Sequence, residues 1–531
     1  MDNRILELNE ERINKNKSIF IIINFYNKIL IISFLLLALL LFKFYKIQLN
    51  KKIRKIKKLN YLKLINEQNQ SLQLFVPSNI CHFPRTLYFN SIFRPNNYTE
   101  NININISYLN LNDNNYFVTY YLKDSIYLNY LKILKNHRLI KSGYKYKNNN
   151  LFLHCFNETQ LIKMQKTVGI NKYQKIKYYI NIREFFYKDS LYKNYIKMKN
   201  LFKDEYNYMA ETFYYPEDKD LIEQNFKDYN FDLNDIWLVK PKNGSCGEGI
   251  FIFKTLKEIN LDNYLLTKYI KNINLINNKK YDLRLYVLIT GLKPLRIYFY
   301  NDGLVRLASR NYTLNPKNIR NKYIHLTNVA INKHNIHFKM PKNYDDENAS
   351  LLNLNSYKKY LYKHNVNYTD IFNQIKDLII KSIISLQDKI INKNEELNLD
   401  DRNFFHLFGF DVLITEDYKP ILLEINTSPS MNFFGILEKV LKTNLIVDTL
   451  NIIGIIPFSH EKEFNSFDPE YKFKNNIEEL INYSICELSR PRGNYELIFP
   501  TKENINIYKK FFINNVEENN KFWETLLENN H

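Results

Sequence analysis

FFHLFGFDVLITEDYKPILLEINTSPSMN, residues 404–432, is the stretch on which the fold of this chain turns. Two apolar runs, 408–414 and 421–425, flank a polar turn, 415–420, that ends in a proline. Short apolar runs bounded by turn residues predict an antiparallel strand pair. Asp411 lies in the first strand. Glu424 and Asn426 stand two apart at the end of the second and so share one face. Carboxylates are almost never buried unpaired, because desolvating a charge is costly. Three oxygen donors converging from adjacent strands suit a hard cation, foremost Mg²⁺. The alternative is an ordinary charged hairpin end.

Upstream, KKYDLRLYVLIT, residues 279–290, predicts a long strand. Lys280, Asp282 and Arg284 alternate onto one face, and Tyr281, Leu283 and Leu285 onto the other. Three charges in a row need partners or a ligand, unless this face is a solvated edge. Strands are expected at 295–300 and 304–309, with Asn301-Asp302-Gly303 as the hairpin turn between them. Arg306 lies in the second. Further upstream, a strand at 236–240 runs into PKNGSCGEG and then a strand at 250–253. A glycine-rich loop lets backbone N–H groups approach phosphate oxygens, and Lys240 would add a point charge. A plain glycine-rich hairpin turn is the alternative. Another strand is expected at 265–270, and helices at 357–362, 371–392 and 437–453. Asp189 is placed to cap a helix that runs to about Asn200. His325, in the polar cluster HLTN, reads by itself as a structural residue.

The chain has 531 residues, enough for two or three domains with ample core. Its apolar fraction is that of a folded protein, which excludes a wholly disordered chain. A formal charge of +20 points to an anionic partner: nucleic acid, a membrane surface or an acidic protein. Four scattered cysteines, none at metal-ligand or redox spacing, suggest a reducing compartment. Residues 18–42 are nearly all apolar, and 29–42 are uninterruptedly so. About twenty such residues span a bilayer. The basic segment behind them, 43–63, would keep the bulk of the chain cytosolic. The expected division is therefore an N-terminal segment, 1–63, with a transmembrane helix at 18–42, followed by an Asn-rich, low-pattern linker, 64–115. A small α/β part follows at 116–235, then a core at 236–455, then a C-terminal extension at 456–531.

The order VKP…SCGEGIFIF, LTKYI, KKYDLRLYVLIT, DGLVRLASRNY, HLTN, FGFDVLI, LLEINTSPSM resembles the tubulin-tyrosine-ligase-like enzymes. These form a family with the ATP-grasp fold. The match runs in order over residues 170–450. RPRGNYELIFPT, residues 490–501, resembles a tail common among the polyglutamylating members. The resemblance implies an α+β fold: an ATP-grasp core of two subdomains clamping ATP, with a small α/β domain before it and the N-terminal hydrophobic helix. It implies that Lys240, Cys246 and Gly247 hold ATP phosphates, with Lys188 nearby. Thr267, Lys268, Tyr269 and Ile270 would bind adenine, mainly through backbone groups. Lys280 and Asp282 would contact the nucleotide, and Thr327 and Asn328 would flank it. Asp411, Glu424 and Asn426 would ligate Mg²⁺. Arg306 would meet the carboxylate of the incoming amino acid, with Ser428 and Lys442 as further candidates. Arg284 or Lys280 would stabilise the tetrahedral intermediate. Two positions depart from the family pattern: Glu248 where a basic residue is common, and Thr267 where glutamine is common.

The implied activity is ATP-dependent ligation of free L-glutamate to the acidic C-terminal tails of tubulin on microtubules. Glycine and tyrosine are the alternative amino acids. A monomer in the cytoplasm or cytoskeleton, axoneme included, with a membrane anchor and no nucleic-acid partner, is the setting this implies. Two other expectations compete with it: a catalytically silent microtubule-binding or membrane-tethering protein, and a ligase for a non-tubulin acidic acceptor. If residues 18–42 span a bilayer, alkaline carbonate should leave the protein in the membrane pellet. Release into the supernatant would exclude the span.

Overall fold

The computed structural model describes residues 72–75, 86–94, 106–109, 119–121, 130, 132–134, 139–141, 149–153, 158–167, 170, 172–228, 236–242, 249–253, 264–456, 477–514 and 517–528. The expected transmembrane segment, 18–42, and the glycine-rich loop with Cys246, Gly247 and Glu248 lie outside them. Among the described residues no helix is long and apolar enough to cross a membrane. All described residues belong to one unit, Gln68–His531.

Two antiparallel sheets frame the interior. The first has four strands: β1 (Thr212–Tyr215), β2 (Trp237–Pro241), β3 (Phe251–Phe253) and β4 (Tyr264–Lys268), in the order β3-β2-β4-β1. The second is built on two long neighbours, β5 (Lys279–Leu292) and β6 (Leu295–Leu307). It continues with β7 (Leu351–Asn353), β8 (His406–Ile414) and β9 (Pro420–Asn426), in the order β7-β6-β5-β8-β9. A last strand, β10 (Tyr495–Phe499), pairs with β6.

Alternation along β5 explains the layering. Tyr281, Leu283, Leu285, Val287 and Ile289 point into one apolar core. That core is closed by two helices, α1 (Lys188–Phe202) and α2 (Tyr368–Glu396). The Asn367 side chain caps α2 by accepting from the Thr369 N–H. The other face of β5 is split. Tyr286 and Leu288 enter a second core against α3 (Ile436–Ile453), while Asp282 and Arg284 carry charge. The site is built on that charged half.

Several expectations need correction. Asn301-Asp302-Gly303 is no hairpin turn, because β6 runs through it as a bulge. Leu285 pairs with Gly303 and Val287 with Phe299, so β5 stays paired on both sides of the extra residues. The Asp302 side chain accepts from Gly303 N–H, 2.7 Å, and holds the bulge from within. Asp189 does not cap α1. Tyr187 is the capping residue, without a side-chain bond, and buried Asp189 pairs with Lys242 at 2.6 Å. Cys486 is disulfide-bonded, so the four cysteines are not all free thiols. In the stretch 64–115, Leu72–Phe75, Thr86–Leu87 and Ile106–Leu109 form a small antiparallel sheet. The following part keeps the α/β character: Thr119–Tyr121, Ile140–Lys141, Leu151–Phe152 and Lys175–Ile176 pair in parallel.

The segment after 456 is tied into the core by a buried ion pair. Arg296 of β6 is fully buried. Its Nε donates to Glu487 at 3.0 Å, and Glu487 lies on helix α4 (Ile477–Leu488). Its other nitrogens donate to Pro294 O at 2.8 Å, Ser484 Oγ at 2.8 Å and Thr290 O at 3.0 Å. Breaking a buried pair leaves a charge in a low dielectric. Arg296→Met should therefore cost about 3–5 kcal/mol, read as a lower urea midpoint. Adding Glu487→Leu should recover most of that loss. A double variant as unstable as the single one would contradict this account.

Candidate functional site

Cross-strand pairing places the charged residues in one row. Asp282 on β5 is opposite Arg306 on β6, and Arg284 on β5 is opposite Asp411 on β8. Asp411 is in turn opposite Glu424 on β9, and Gly409 opposite Asn426. A register shift between Asp411 and Val412 leaves Leu423 as an extra residue in β9, just before Glu424. The row thus crosses four strands on one face of the sheet.

Its centre is an alternation of charges. Arg306 Nε donates to Asp282 at 2.8 Å, and its Nη2 meets Asp282 at 2.5 Å and Asp411 at 2.9 Å. Arg284 binds Asp411 through Nε at 2.5 Å and Nη2 at 2.9 Å. Such bidentate pairs are strong and directional. Burial alone would raise the Asp411 carboxyl, but Arg284 and Arg306 outweigh it and hold the group well below the usual carboxylate range. Among the described residues no arginine is hydrogen-bonded to Glu424. Burial first, and the neighbouring Asp411 charge second, push its carboxyl up. Asn426 Nδ2 lies 3.1 Å from Glu424 Oε1 and 3.5 Å from Asp411 Oδ2.

A cavity between the two sheets is lined by Lys188, Lys240, Thr267, Glu424 and Asn426, with Leu265 and Leu422 as apolar wall. It joins five of the residues expected from sequence, drawn from α1, β2, β4 and β9. Burial lowers the Lys240 ammonium to about 8; the Glu424 charge opposes the shift and Lys188 adds to it. Lys280 is likewise lowered to about 8, by burial first, with Asp282 opposing and Lys240 adding. Lys188 and Lys240 thus crowd positive charge beside Glu424, with Lys280 near Lys240, which favours an anionic ligand there.

Other expected residues are placed differently. The Lys268 side chain leaves the cavity, lying 3.6 Å from Glu211 and over the Trp237 ring. The N–H groups of Lys268 and Tyr269 already donate to Glu211 and Ile236 carbonyls, both at 2.8 Å. Hydrogen-bonding to a docked base at this segment therefore falls to its carbonyls and the Ile270 N–H. Thr327 is buried, and Asn328 opens the short helix Val329–Asn332. Ser428 is exposed. Lys442 is buried on α3, bonded to Glu438 at 2.7 Å and to the Asn432 carbonyl. It latches the loop that follows β9. Glu438 was not singled out in the sequence, although its spacing of four from Lys442 was the available signal.

The donor set can be tested against a hard cation. Asp411 already accepts three arginine N–H bonds, which leaves its oxygens room for about one further contact. Glu424 is held beside it with no cationic hydrogen-bond partner among the described residues, and the Asn426 amide can turn its oxygen inward. Two carboxylates and an amide oxygen on one face fit Mg²⁺, with Glu424 as the principal ligand.

The sequence profile of the tubulin-tyrosine ligase family matches residues 163–463, more than half of the chain. The human protein named tubulin polyglutamylase TTLL6 is 31% identical over 386 residues, 69% of this chain and 42% of its own length. Tubulin polyglutamylase ttll-5 of Caenorhabditis elegans is 32% identical over 331 residues, 60% of this chain and 45% of its own. Tubulin monoglutamylase TTLL4 of Mus musculus is 31% identical over 312 residues, 58% of this chain and 26% of its own. The chain thus spans less than half the length of these relatives.

A carboxylate kept next to another carboxylate costs stability that binding recovers. Glu424→Ala should leave the thermal midpoint unchanged or slightly raised, while Mg²⁺-dependent ATP binding is lost in calorimetry. Retained Mg²⁺ dependence would remove Glu424 from the metal set.

Proposed function

The chain belongs to the tubulin-tyrosine ligase family, and from that premise we propose that it is an ATP-dependent ligase. It joins an amino acid, glutamate, to carboxylates in the acidic C-terminal tails of tubulin. The observation that carries this is the cavity beside the charged row, where Lys188 and Lys240 stand against Glu424 and Asn426, with Lys280 close enough to Lys240 to feel its charge. Anion-binding lysines on one wall and hard oxygen donors on the other suit the phosphates of a nucleotide with its cation.

A carboxylate is a poor acyl electrophile, and phosphorylation turns its oxygen into a leaving group. In this reading the acceptor carboxylate takes the terminal phosphoryl group of ATP and releases ADP. The amine of the incoming amino acid then attacks the acyl carbon, and phosphate leaves. Lys240 and Lys280 would offset negative charge on the phosphates. Asp411, Glu424 and Asn426 would hold Mg²⁺, which supplies charge neutralisation at the transferring group. Arg306 and Arg284 would face the amino-acid carboxylate and the tetrahedral intermediate. Both are fixed by Asp282 and Asp411, so little ordering remains for substrate binding to do. Lys442 serves the loop after β9 and is set aside as a substrate contact. Glutamate is favoured because relatives at about 30% identity carry the names polyglutamylase and monoglutamylase. The net charge of +20 suits an acidic tail, whose approach it would speed. A cytoskeletal setting follows from the acceptor.

The decisive assay supplies tubulin, ATP, Mg²⁺ and labelled amino acid. ATP-dependent incorporation of glutamate, and not of glycine or tyrosine, is expected. Absence of incorporation with all three would contradict a ligase. A pH dependence is also expected. Lys240 and Lys280 are charged below about 8 and lose charge above it. MgATP affinity should therefore fall as pH rises through about 8. A profile flat from pH 7 to 9, about one unit either side of those values, would exclude these two lysines as phosphate contacts.

A further inference from the structure

Lys280 is a buried cation with no carboxylate hydrogen-bonded to it among the described residues. Its ammonium makes one hydrogen bond among the described residues, to Tyr269 Oη at 3.3 Å, and lies 4.6 Å from the centre of the same ring. Asp282, two residues along β5, is taken by both ends of Arg306. Tyr269 Oη also meets His325 Nδ1 at 2.9 Å. An ammonium can only donate, so Tyr269 Oη accepts from Lys280. In the Nε2–H tautomer of His325, Nδ1 accepts the Tyr269 proton.

The hydroxyl is located from two directions. Tyr269 N–H donates to Ile236 O at 2.8 Å, which ties its backbone to the start of β2. Its ring meets His325 edge-on at 5.6 Å, and Tyr312 also packs edge-on against the imidazole, at 5.9 Å. Burial first, and the Lys280 charge second, hold the imidazole at about 4, so it stays neutral at physiological pH. A carboxylate in this position would orient Lys280 and cancel its charge. A neutral hydroxyl orients it and leaves the charge for an anion.

We infer that Tyr269 and His325 are a positioning pair, holding the Lys280 ammonium through Tyr269 Oη for the anionic part of the nucleotide. This rests on the nucleotide-binding reading given above. Neither residue need touch the nucleotide with its side chain; the histidine fixes the tyrosine proton, and the tyrosine fixes the lysine.

A double-mutant cycle tests it by titrating MgATP into the 531-residue chain. Tyr269→Phe should weaken binding about tenfold, the usual worth of a hydrogen bond to a charged group. In a Lys280→Met background the same change should cost less than about twofold, because the partner it positions is gone. His325→Leu should reproduce the tenfold loss, whereas His325→Asn, which can still accept from the hydroxyl, should restore part of it. An equal loss from Tyr269→Phe in both backgrounds would overturn the inference, as would no loss with Lys280 present. An unsubstituted chain that fails to bind MgATP would instead remove the nucleotide reading itself, a result distinguishable from binding that responds additively.

Discussion

Everything in this site depends on one buried carboxylate, Asp411, held between two guanidinium groups. Arg284 and Arg306 reach it from β5 and β6. Desolvating one carboxylate and two guanidinium groups is expensive, and their attraction offsets the cost only because every bond is short and aligned. Asp282 completes the balance as the second carboxylate of the row. The row is therefore stiff. In the proposed ligase reaction, that rigidity would hold the arginines for a substrate carboxylate without further ordering. Glu424 is raised first by burial and second by the neighbouring Asp411 charge, which Lys188 and Arg284 oppose.

Much of this was legible in the sequence. The alternation of Lys280, Asp282 and Arg284 required one face, and the spacing of Glu424 and Asn426 required another. Both follow from the period of two. The pairing of these charges was not legible, because it depends on which strands are neighbours. Alternation says that three charges share a face; only the register gives two of them carboxylate or guanidinium partners and leaves Lys280 to a tyrosine. Asn301-Asp302-Gly303 misled for the same reason. Its residues favour a turn, yet long strands on either side hold it in the sheet as a bulge. Asp189 had the residue type of a helix cap, and an ion pair with Lys242 claimed it instead. The strand at Tyr495–Phe499 and helix Ile477–Leu488 carry weak patterns, since their stabilising contacts, such as Arg296–Glu487, are with distant residues.

The cavity shows a division of labour between charges that are paired and charges that are not. Arg284 and Arg306 are neutralised in place, so they are oriented donors rather than free cations. Among the described residues Lys240 and Lys280 have no carboxylate hydrogen-bond partner, and burial lowers both, so an anionic ligand would relieve the cost of burying them. A lysine lowered this way favours folding more as pH rises from about 8 toward its unfolded value, because the unfolded chain then binds more protons. The proposed nucleotide binding would change in the opposite direction over the same window. The site thus gives up some stability to hold positive charge where phosphates would lie.

The central claim is that this charged row serves transfer of a phosphoryl group to an acceptor carboxylate. The most direct test uses an acidic acceptor peptide whose side-chain carboxyl oxygens carry oxygen-18. The account predicts ADP and inorganic phosphate as products, with one labelled oxygen passing from the peptide to the phosphate. Phosphate without label, or AMP with pyrophosphate, would contradict it.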